Sequence, residues 1–253
     1  MKTVSILGCG WLGKPLAISL LKKGFTVNGS TTTISKIEEL SSLGIQPYLI
    51  DIAIENQIED FLNADILIIA ITNKEISDFK RLITRIQKSQ VKKVIYISTT
   101  SVYPSLNKVM SEISETVNSP YLQIEDLLRE NINFKTTIIR FSGLFGKDRH
   151  PANWFQNGRE IPQPNGFVNM IHQDDCIQII QKIIEQDCFG EVFNACCNHH
   201  PTRKEFYEKA KKNKGLEAPV FKENEELQWK IISSEKVQKV LKYKFIHDDL
   251  FAI

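Results

Sequence analysis

The first thirteen residues constrain the fold most. A short apolar run, Thr3–Leu7, stops at Gly8-Cys9-Gly10-Trp11-Leu12-Gly13, and a helical apolar pattern follows. Strand, glycine turn and helix in that order are the setting in which G-x-G-x-x-G reads as a dinucleotide site. Gly8 permits the sharp turn. Gly10 removes a Cβ where main chain must approach a pyrophosphate, and Gly13 lets the helix pack close to the strand. The free N–H groups and the positive dipole end of the helix favour the anion. Trp11 and Leu12 lie inside this turn and belong to the same expected site. The competing reading is a structural βα turn with no ligand.

The chain then alternates between apolar runs and amphipathic segments. Leu12, Leu16 and Leu20 mark a helix face that Gly24 closes. Pro15 is tolerated because it lies in the first turn. Phe25–Gly29 is the second expected strand. An NAD site usually presents an acidic residue at its end, but no Asp or Glu occurs between Gly13 and Glu38. Ser30, Thr31, Thr32 and Thr33 stand there instead, followed by Lys36. Hydroxyls and an ammonium suit a 2′-phosphate, so NADP is the preferred cofactor and NAD the alternative. Thr33 or Ser35 as a helix cap is the plainer reading.

Ile45–Asp51 reads as the third strand, with Asp51 facing adenine or capping a turn. Asp65–Ile71 is a continuous apolar run suited to a buried parallel strand, so Ala70, Ile71 and Thr72 are expected to line the cofactor crevice. A helix over Glu75–Gln90, a strand over Val94–Thr99, a helix over Ser119–Asn131 and a strand over Thr136–Ser142 continue the alternation. A loop rich in Gly, Pro and Asn follows to Gly166. Asn169–Asp175 leads into a helix to Gln186, with Asp174 or Asp175 as its N-cap, and Glu191–Cys196 is a last strand. Two helices with irregular connections complete the chain. Such alternation predicts an α/β Rossmann-type doubly wound parallel sheet. The expected dinucleotide-binding domain spans residues 1–146, with 171–197 returning to it. Residues 147–170 and 198–253 form a small substrate-side region folding over the cofactor crevice.

Totals exclude several classes. At 253 residues and a net charge of +2, the chain carries no nucleic-acid signature, and the lysines at 209, 211, 212 and 214 read as a solvated helix face. Five cysteines without C-x-x-C support neither a disulfide framework nor a zinc site and fit a reducing cytoplasm. The apolar stretch after Met1-Lys2 is interrupted by glycines, which argues against a signal peptide or a membrane span. His199-His200 lacks a third ligand at sensible spacing, so a turn is expected and no metal. The expected partner is a small-molecule substrate; oligomeric state is left open.

Taken together, the landmarks resemble the short-chain dehydrogenase/reductase superfamily, on its extended or atypical NAD-dependent epimerase/dehydratase side. Beyond the glycine turn, STTSVYP (98–104) resembles the family's S-S-x-x-V-Y-G, and IIRFSGLFGKDRHP (138–151) its R-x-x-x-x-Y-G-P-G. NMIHQDDC (169–176) resembles I-H-V-x-D, and GEVFNACCNHHPTRKEFY (190–207) the return to the sheet. The resemblance implies a hydroxyl residue that orients a substrate oxygen, for which Thr99 matches. It also implies a Tyr-x-x-x-Lys pair, in which lysine lowers the tyrosine pKa from about 10 toward neutrality. Two departures stand out. Position 7 is Leu, so the turn has the G-x-G-x-x-G form. Tyr121 is the only tyrosine on the relevant helix, and the residue four positions on is Glu125. In a second register Tyr121 takes the lysine position and Val117 the tyrosine position. Neither register gives an intact pair, and no cation accompanies Tyr121 in sequence.

Arg140 is a candidate anchor for a substrate phosphate or carboxylate, or a structural ion pair. Asn153 and Trp154, with Phe155, fall where relatives contact substrate, or pack in the core. His172 is a candidate substrate-side residue whose plainer role is to hydrogen-bond across the loop before the helix. The resulting expectation is an NAD(P)-dependent oxidoreductase or epimerase acting on a sugar nucleotide or another small hydroxy or carbonyl substrate. Thr99 and Tyr121 would be its catalytic groups. A dinucleotide-binding sensor or scaffold without catalysis is the rival, and an unrelated dehydrogenase with a Lys or His base is a third reading.

Overall fold

The alternation legible in the sequence becomes a chain of parallel crossovers. The structure, a computed structural model, describes residues 2–54, 57–222 and 226–252, so the Met1 end of the leader-like stretch lies outside the described residues. β1 (Thr3–Leu7) leads into α1 (Gly13–Lys22), then β2 (Thr26–Thr31), α2 (Ile37–Ser42) and β3 (Gln46–Leu49). β4 (Ile66–Ile69), α3 (Ile76–Gln87), β5 (Lys93–Thr99), β6 (Lys108–Met110), α4 (Pro120–Arg129) and β7 (Lys135–Phe141) follow. Then come β8 (Gly143–Phe145), β9 (Met170–His172), α5 (Gln173–Glu185), β10 (Val192–Ala195), α6 (Arg203–Asn213), β11 (Lys230–Ile232) and α7 (Glu235–Leu241).

Seven strands form one sheet in the order β10-β7-β5-β4-β1-β2-β3. The pairings of β1 with β2 and β4, of β2 with β3 and of β4 with β5 are all parallel. The sheet is therefore doubly wound, as the sequence predicts, and its order reverses between β1 and β4. In such sheets a ligand crevice opens outside the carboxyl ends of the strands at that point. All four residues of β4 are buried, which accounts for its uninterrupted apolar run.

Local chemistry places the helix ends. At the end of α1, the amides of Lys23 and Gly24 bond the carbonyls of Leu20 and Leu21, and Gly24 takes φ +82°. Ser119 Oγ accepts the Leu122 amide at 3.3 Å with Pro120 opening α4, and Thr202 and Glu205 form a reciprocal capping box on α6. One expectation fails. α5 begins at Gln173, so Asp174 and Asp175 lie in its first turn rather than at the cap. The acceptor there is His172 Nδ1, which takes the Asp174 amide at 3.1 Å.

The chain divides into two compact units. The first comprises Met1–Ser98, Asn118–Ile139 and Ile180–Val192; the second comprises Thr99–Val117, Arg140–Ile179 and Phe193–Ile253. This differs from the expected boundaries. Residues 99–117, 140–146 and about half of 171–197 go with the C-terminal segments, while 180–192 stays with the first unit; non-local strand pairings absent from the sequence pattern tie 99–117 and 140–146 into the second. β6 pairs with β11, and β8 with β9. The first unit is built on an apolar core that includes Leu7, Phe61, Leu67, Phe79, Tyr96, Ile124 and Ile138. The second has its own cluster around Phe145, Ile161, Met170, Phe206 and Tyr207. Among the described residues no helix is long and apolar enough to cross a membrane.

Candidate functional site

The glycine turn lies at the carboxyl end of β1, where the strand order reverses. Gly8 has φ +101°, and a Cβ there would stand 2.7 Å from the Ala70 carbonyl oxygen and 2.8 Å from Ile71 Cγ2. A Cβ on Gly13 would stand 2.1 Å from the Gly8 carbonyl oxygen. Both positions are glycine because the protein's own atoms occupy the space. Gly10 is different: a Cβ there would meet nothing within 4 Å. The packing of the fold does not call for glycine at position 10, and the space in front of it is open. Trp11 is half-buried, and Leu12 is packed into the core at 7 % exposure. Burial pushes the Cys9 thiol up to about 12, which leaves it an inert packing group.

The hydroxyl run after β2 splits by role. Ser30 is 1 % exposed; its Oγ accepts the Gly8 amide at 2.9 Å and its carbonyl accepts the Cys9 amide at 2.7 Å. Ser30 therefore shapes the turn instead of offering its hydroxyl to a ligand. Thr31 Oγ1 accepts the Thr33 amide at 3.1 Å, while Thr32 and Lys36 are exposed. Thr33 precedes a one-turn 3-10 helix but makes no side-chain cap. Asp51 Oδ1 accepts the Ala53 amide at 2.9 Å, which is the turn-capping alternative of the sequence reading. Ala70 and Ile71 lie against the glycine turn at Gly8, and Thr72 is exposed. A larger hollow of about 820 Å³ runs past Lys93 and Lys135, at the amino ends of β5 and β7. That is the wrong end of a doubly wound sheet for a cofactor.

Tyr121 lies in the first turn of α4, after Pro120, in the first unit, half-buried. Glu125, four residues on, is fully buried and accepts the Ser98 hydroxyl at 2.5 Å, so it is a core acceptor and cannot stand in for a ribose-binding lysine. The structure supplies a cation that the sequence does not reveal. Lys74 Nζ, from the loop after β4, lies 5.2 Å from the Tyr121 ring centroid. Thr99 ends β5 and falls in the second unit; it is half-buried and its Oγ1 accepts the Ser101 amide at 3.1 Å.

In the second unit Arg140 is 3 % exposed. Its Nη1 donates to Tyr103 Oη at 2.6 Å, and Tyr103 Oη donates to Asn194 Oδ1 at 2.8 Å. Burial holds the Tyr103 phenol above its ordinary value although Arg140 pulls it down. Arg140 is thus an internal anchor, not a group presented to substrate. Asn153 is exposed on a one-turn 3-10 helix, while Trp154 packs partly against the Phe145–Tyr207 cluster. His199 Nδ1 bonds Asp249 Oδ1 at 2.9 Å and His200 Nδ1 bonds the Val168 carbonyl at 3.1 Å, so the histidine pair shares no ligand. Lys211, expected on a solvated face, is 5 % exposed and donates to the Phe155 carbonyl at 3.3 Å.

No loop separates His172 from α5; its Nδ1 takes the Asp174 amide in the first turn of the helix, and the ring also meets residues that sequence reasoning missed. Asp174 Oδ2 lies 3.4 Å from His172 Nδ1 and 3.1 Å from His247 Nε2. Burial first, then the neighbouring His247, hold the His172 imidazole below the usual histidine value, with Asp174 and Asp175 opposing. No spacing rule links residue 172 to residue 247; only the fold brings them together.

Against known proteins, residues 3–123 match the family described as the NAD binding domain of 6-phosphogluconate dehydrogenase. The chain is 29% identical over 268 residues to Protein YeeZ of Escherichia coli (strain K12), covering 98% of this chain and 97% of that one. In three dimensions it is similar to a functionally unknown conserved protein from Silicibacter pomeroyi, with TM-score 0.85, 18% identity and coverage of 100% and 96%. It is also similar to UDP-glucuronic acid 4-epimerase from Bacillus cereus in complex with NAD, with TM-score 0.80, 21% identity and coverage of 99% and 96%. A putative NAD-dependent epimerase/dehydratase from Methylobacillus flagellatus gives TM-score 0.81 at 20% identity, with coverage of 99% and 95%. These likenesses establish the Rossmann-type fold over essentially the whole chain, and the glycine turn lies inside the part that matches an NAD-binding domain.

Proposed function

We propose that the protein binds a nicotinamide dinucleotide at the glycine turn and acts as an oxidoreductase or epimerase on a small hydroxy or carbonyl substrate, a sugar nucleotide being the favoured class. The observation that carries this is the contrast within the turn. Gly8 and Gly13 are demanded by packing, while Gly10 faces open space. Gly10, Trp11 and the first amides of α1 hold the pyrophosphate, and Ala70, Ile71 and Thr72 border the cofactor. Thr32 and Lys36 are exposed after β2, where the sequence carries no Asp or Glu before Glu38, and they favour a 2′-phosphate and hence NADP over NAD. The NAD-bound UDP-sugar epimerase among the structural neighbours supports the substrate class.

When bound, the nicotinamide supplies the hydride acceptor and donor. Tyr121 would exchange the proton on the substrate oxygen, and Lys74, whose Nζ lies 5.2 Å from the tyrosine's ring centroid, would take the electrostatic part that the missing lysine would play. A dinucleotide-binding sensor without chemistry is the second reading. It is favoured by Glu125, whose carboxylate is committed to Ser98.

Titration of the intact protein with NADPH and NADH, read by intrinsic fluorescence, is expected to show saturable binding with NADPH the tighter. Gly10→Ala is expected to abolish the response. If neither dinucleotide binds, both readings fail. Where binding holds, deuteride transfer from labelled NADPH to a panel of UDP-sugar ketones and simpler carbonyls separates enzyme from sensor. Lys74→Met is expected to slow that transfer by about tenfold or more while leaving dinucleotide affinity intact. Tight binding with no transfer favours the sensor.

A further inference from the structure

We propose that His172, Asp174 and His247 form a binding site for a transition-metal ion of the Zn²⁺ class, which clamps the C-terminal segment onto the start of α5. The three side chains each offer one ligand atom, and these atoms lie within 4.8 Å of one another. Two of the three separations already have metal-site values. His172 Nδ1 is 3.4 Å and His247 Nε2 is 3.1 Å from Asp174 Oδ2. Tetrahedral zinc with bonds of about 2.0–2.1 Å places its ligand atoms roughly 3.3 Å apart. Two imidazoles and one carboxylate are the borderline donor set that zinc prefers over the all-oxygen sets of calcium and magnesium.

The two rings are already neighbours, and bound zinc would part their stacked faces. The imidazoles face each other with centroids 3.7 Å apart and planes tilted by 36°. His172 Nε2 is turned to the backbone of Gly146, where an added Cβ would come within 3.1 Å of it. That leaves Nδ1 facing Asp174. The edge of Phe145, its ring centroid 5.1 Å away, packs against the same ring. His172 Nδ1 also accepts the Asp174 amide at 3.1 Å, and this is the bond a metal would displace.

The scaffold behind the cluster is rigid. Asp175 is fully buried and accepts from Tyr243 Oη at 2.6 Å, from the Ile246 amide at 2.7 Å and from the His247 amide at 3.1 Å. The main chain of His247 is therefore fixed relative to α5 before any ion arrives, which is the preorganisation a site requires. On the solvent side, the Asp174 and His247 side chains are 48% and 35% exposed, which gives an ion a path in and leaves the fourth position to water.

The test uses the full chain, stripped with a chelator, desalted and titrated with Zn²⁺ or Co²⁺ alone. The expected result is one equivalent bound at micromolar affinity or better, with intense visible Co²⁺ bands of tetrahedral type and no thiolate charge-transfer band. His247→Gln and Asp174→Asn are expected to weaken binding by at least about tenfold, the scale of even an outer-shell loss. His199→Gln is expected to leave it unchanged. A readout independent of variant folding is the histidine ring spectrum of the unmodified protein, which has five histidines. Zinc should move two of them, His172 and His247. Absence of stoichiometric uptake, a thiolate signature, or shifts at His199 and His200 instead would overturn the proposal.

Discussion

Gly8, Gly10 and Gly13 look alike in sequence and do different work. A methyl at position 13 would press on the Gly8 carbonyl oxygen at 2.1 Å, a main-chain atom, with Ile6 Cγ2 at 3.2 Å beside it. Gly13→Ala is expected to cost at least about 2 kcal/mol, seen as a lower urea midpoint with unchanged slope. Gly10→Ala should stay within about 0.5 kcal/mol of the parent, since its methyl meets open space. The pair separates fold from ligand: one variant loses stability, the other loses only the dinucleotide. Equal losses of stability would mean that Gly10 is structural after all. Ser30 shows the limit of reading residues one at a time. Its hydroxyl looked available for a cofactor phosphate, but the pairing of β1 with β2 sets it on the Gly8 amide.

At the scale of elements, α5 shows how a helix start can organise distant chain. Two aspartates in its first turn suit the positive end of the helix dipole. Asp175 turns inward and gathers a hydroxyl and two amides from 243–247. The phenol of Tyr243 is held well above its usual range, by burial and then by its bond to Asp175, so it remains a donor. Asp175→Ala would leave those donors without a buried acceptor. A loss of about 3 kcal/mol is expected, together with faster hydrogen exchange at the amides of Ile246 and His247. Global destabilisation with no local change at those amides would contradict the clamp. Periodicity exposed α5 as an element but not this role, because the partners come from a segment with no periodic signal.

For the molecule as a whole, stability should depend on pH in a defined window. Burial holds the imidazoles of His150 and His200 below the usual histidine value; His200 Nδ1 also bonds the Val168 carbonyl. Their unfolded counterparts take up protons near pH 6.5. The unfolded chain then binds more protons than the folded one. The stability these residues contribute is complete above about pH 6.5 and is lost as pH falls through their depressed folded values. The lowered carboxylates, such as Glu39 beside Lys14 and Glu205 in its capping box, act only at more acidic pH. The urea midpoint is therefore expected to drop between pH 7.5 and 5.5, and His200→Gln should shrink that drop. A midpoint that is flat or rises across this interval would refute the assignment.

The sequence by itself determined the doubly wound sheet, the dinucleotide-type turn and the order of crossovers. These follow from short-range requirements: apolar period, glycine where backbone crowds, and caps at helix ends. Tertiary structure alone decided which polar groups share a neighbourhood. It set Lys74 beside Tyr121, enclosed Arg140 with Tyr103 and Asn194, turned Glu125 into the core and joined His172 to His247. Such meetings depend on how separate crossovers and loops pack back on one another, and a local pattern of residue types carries no record of that distance.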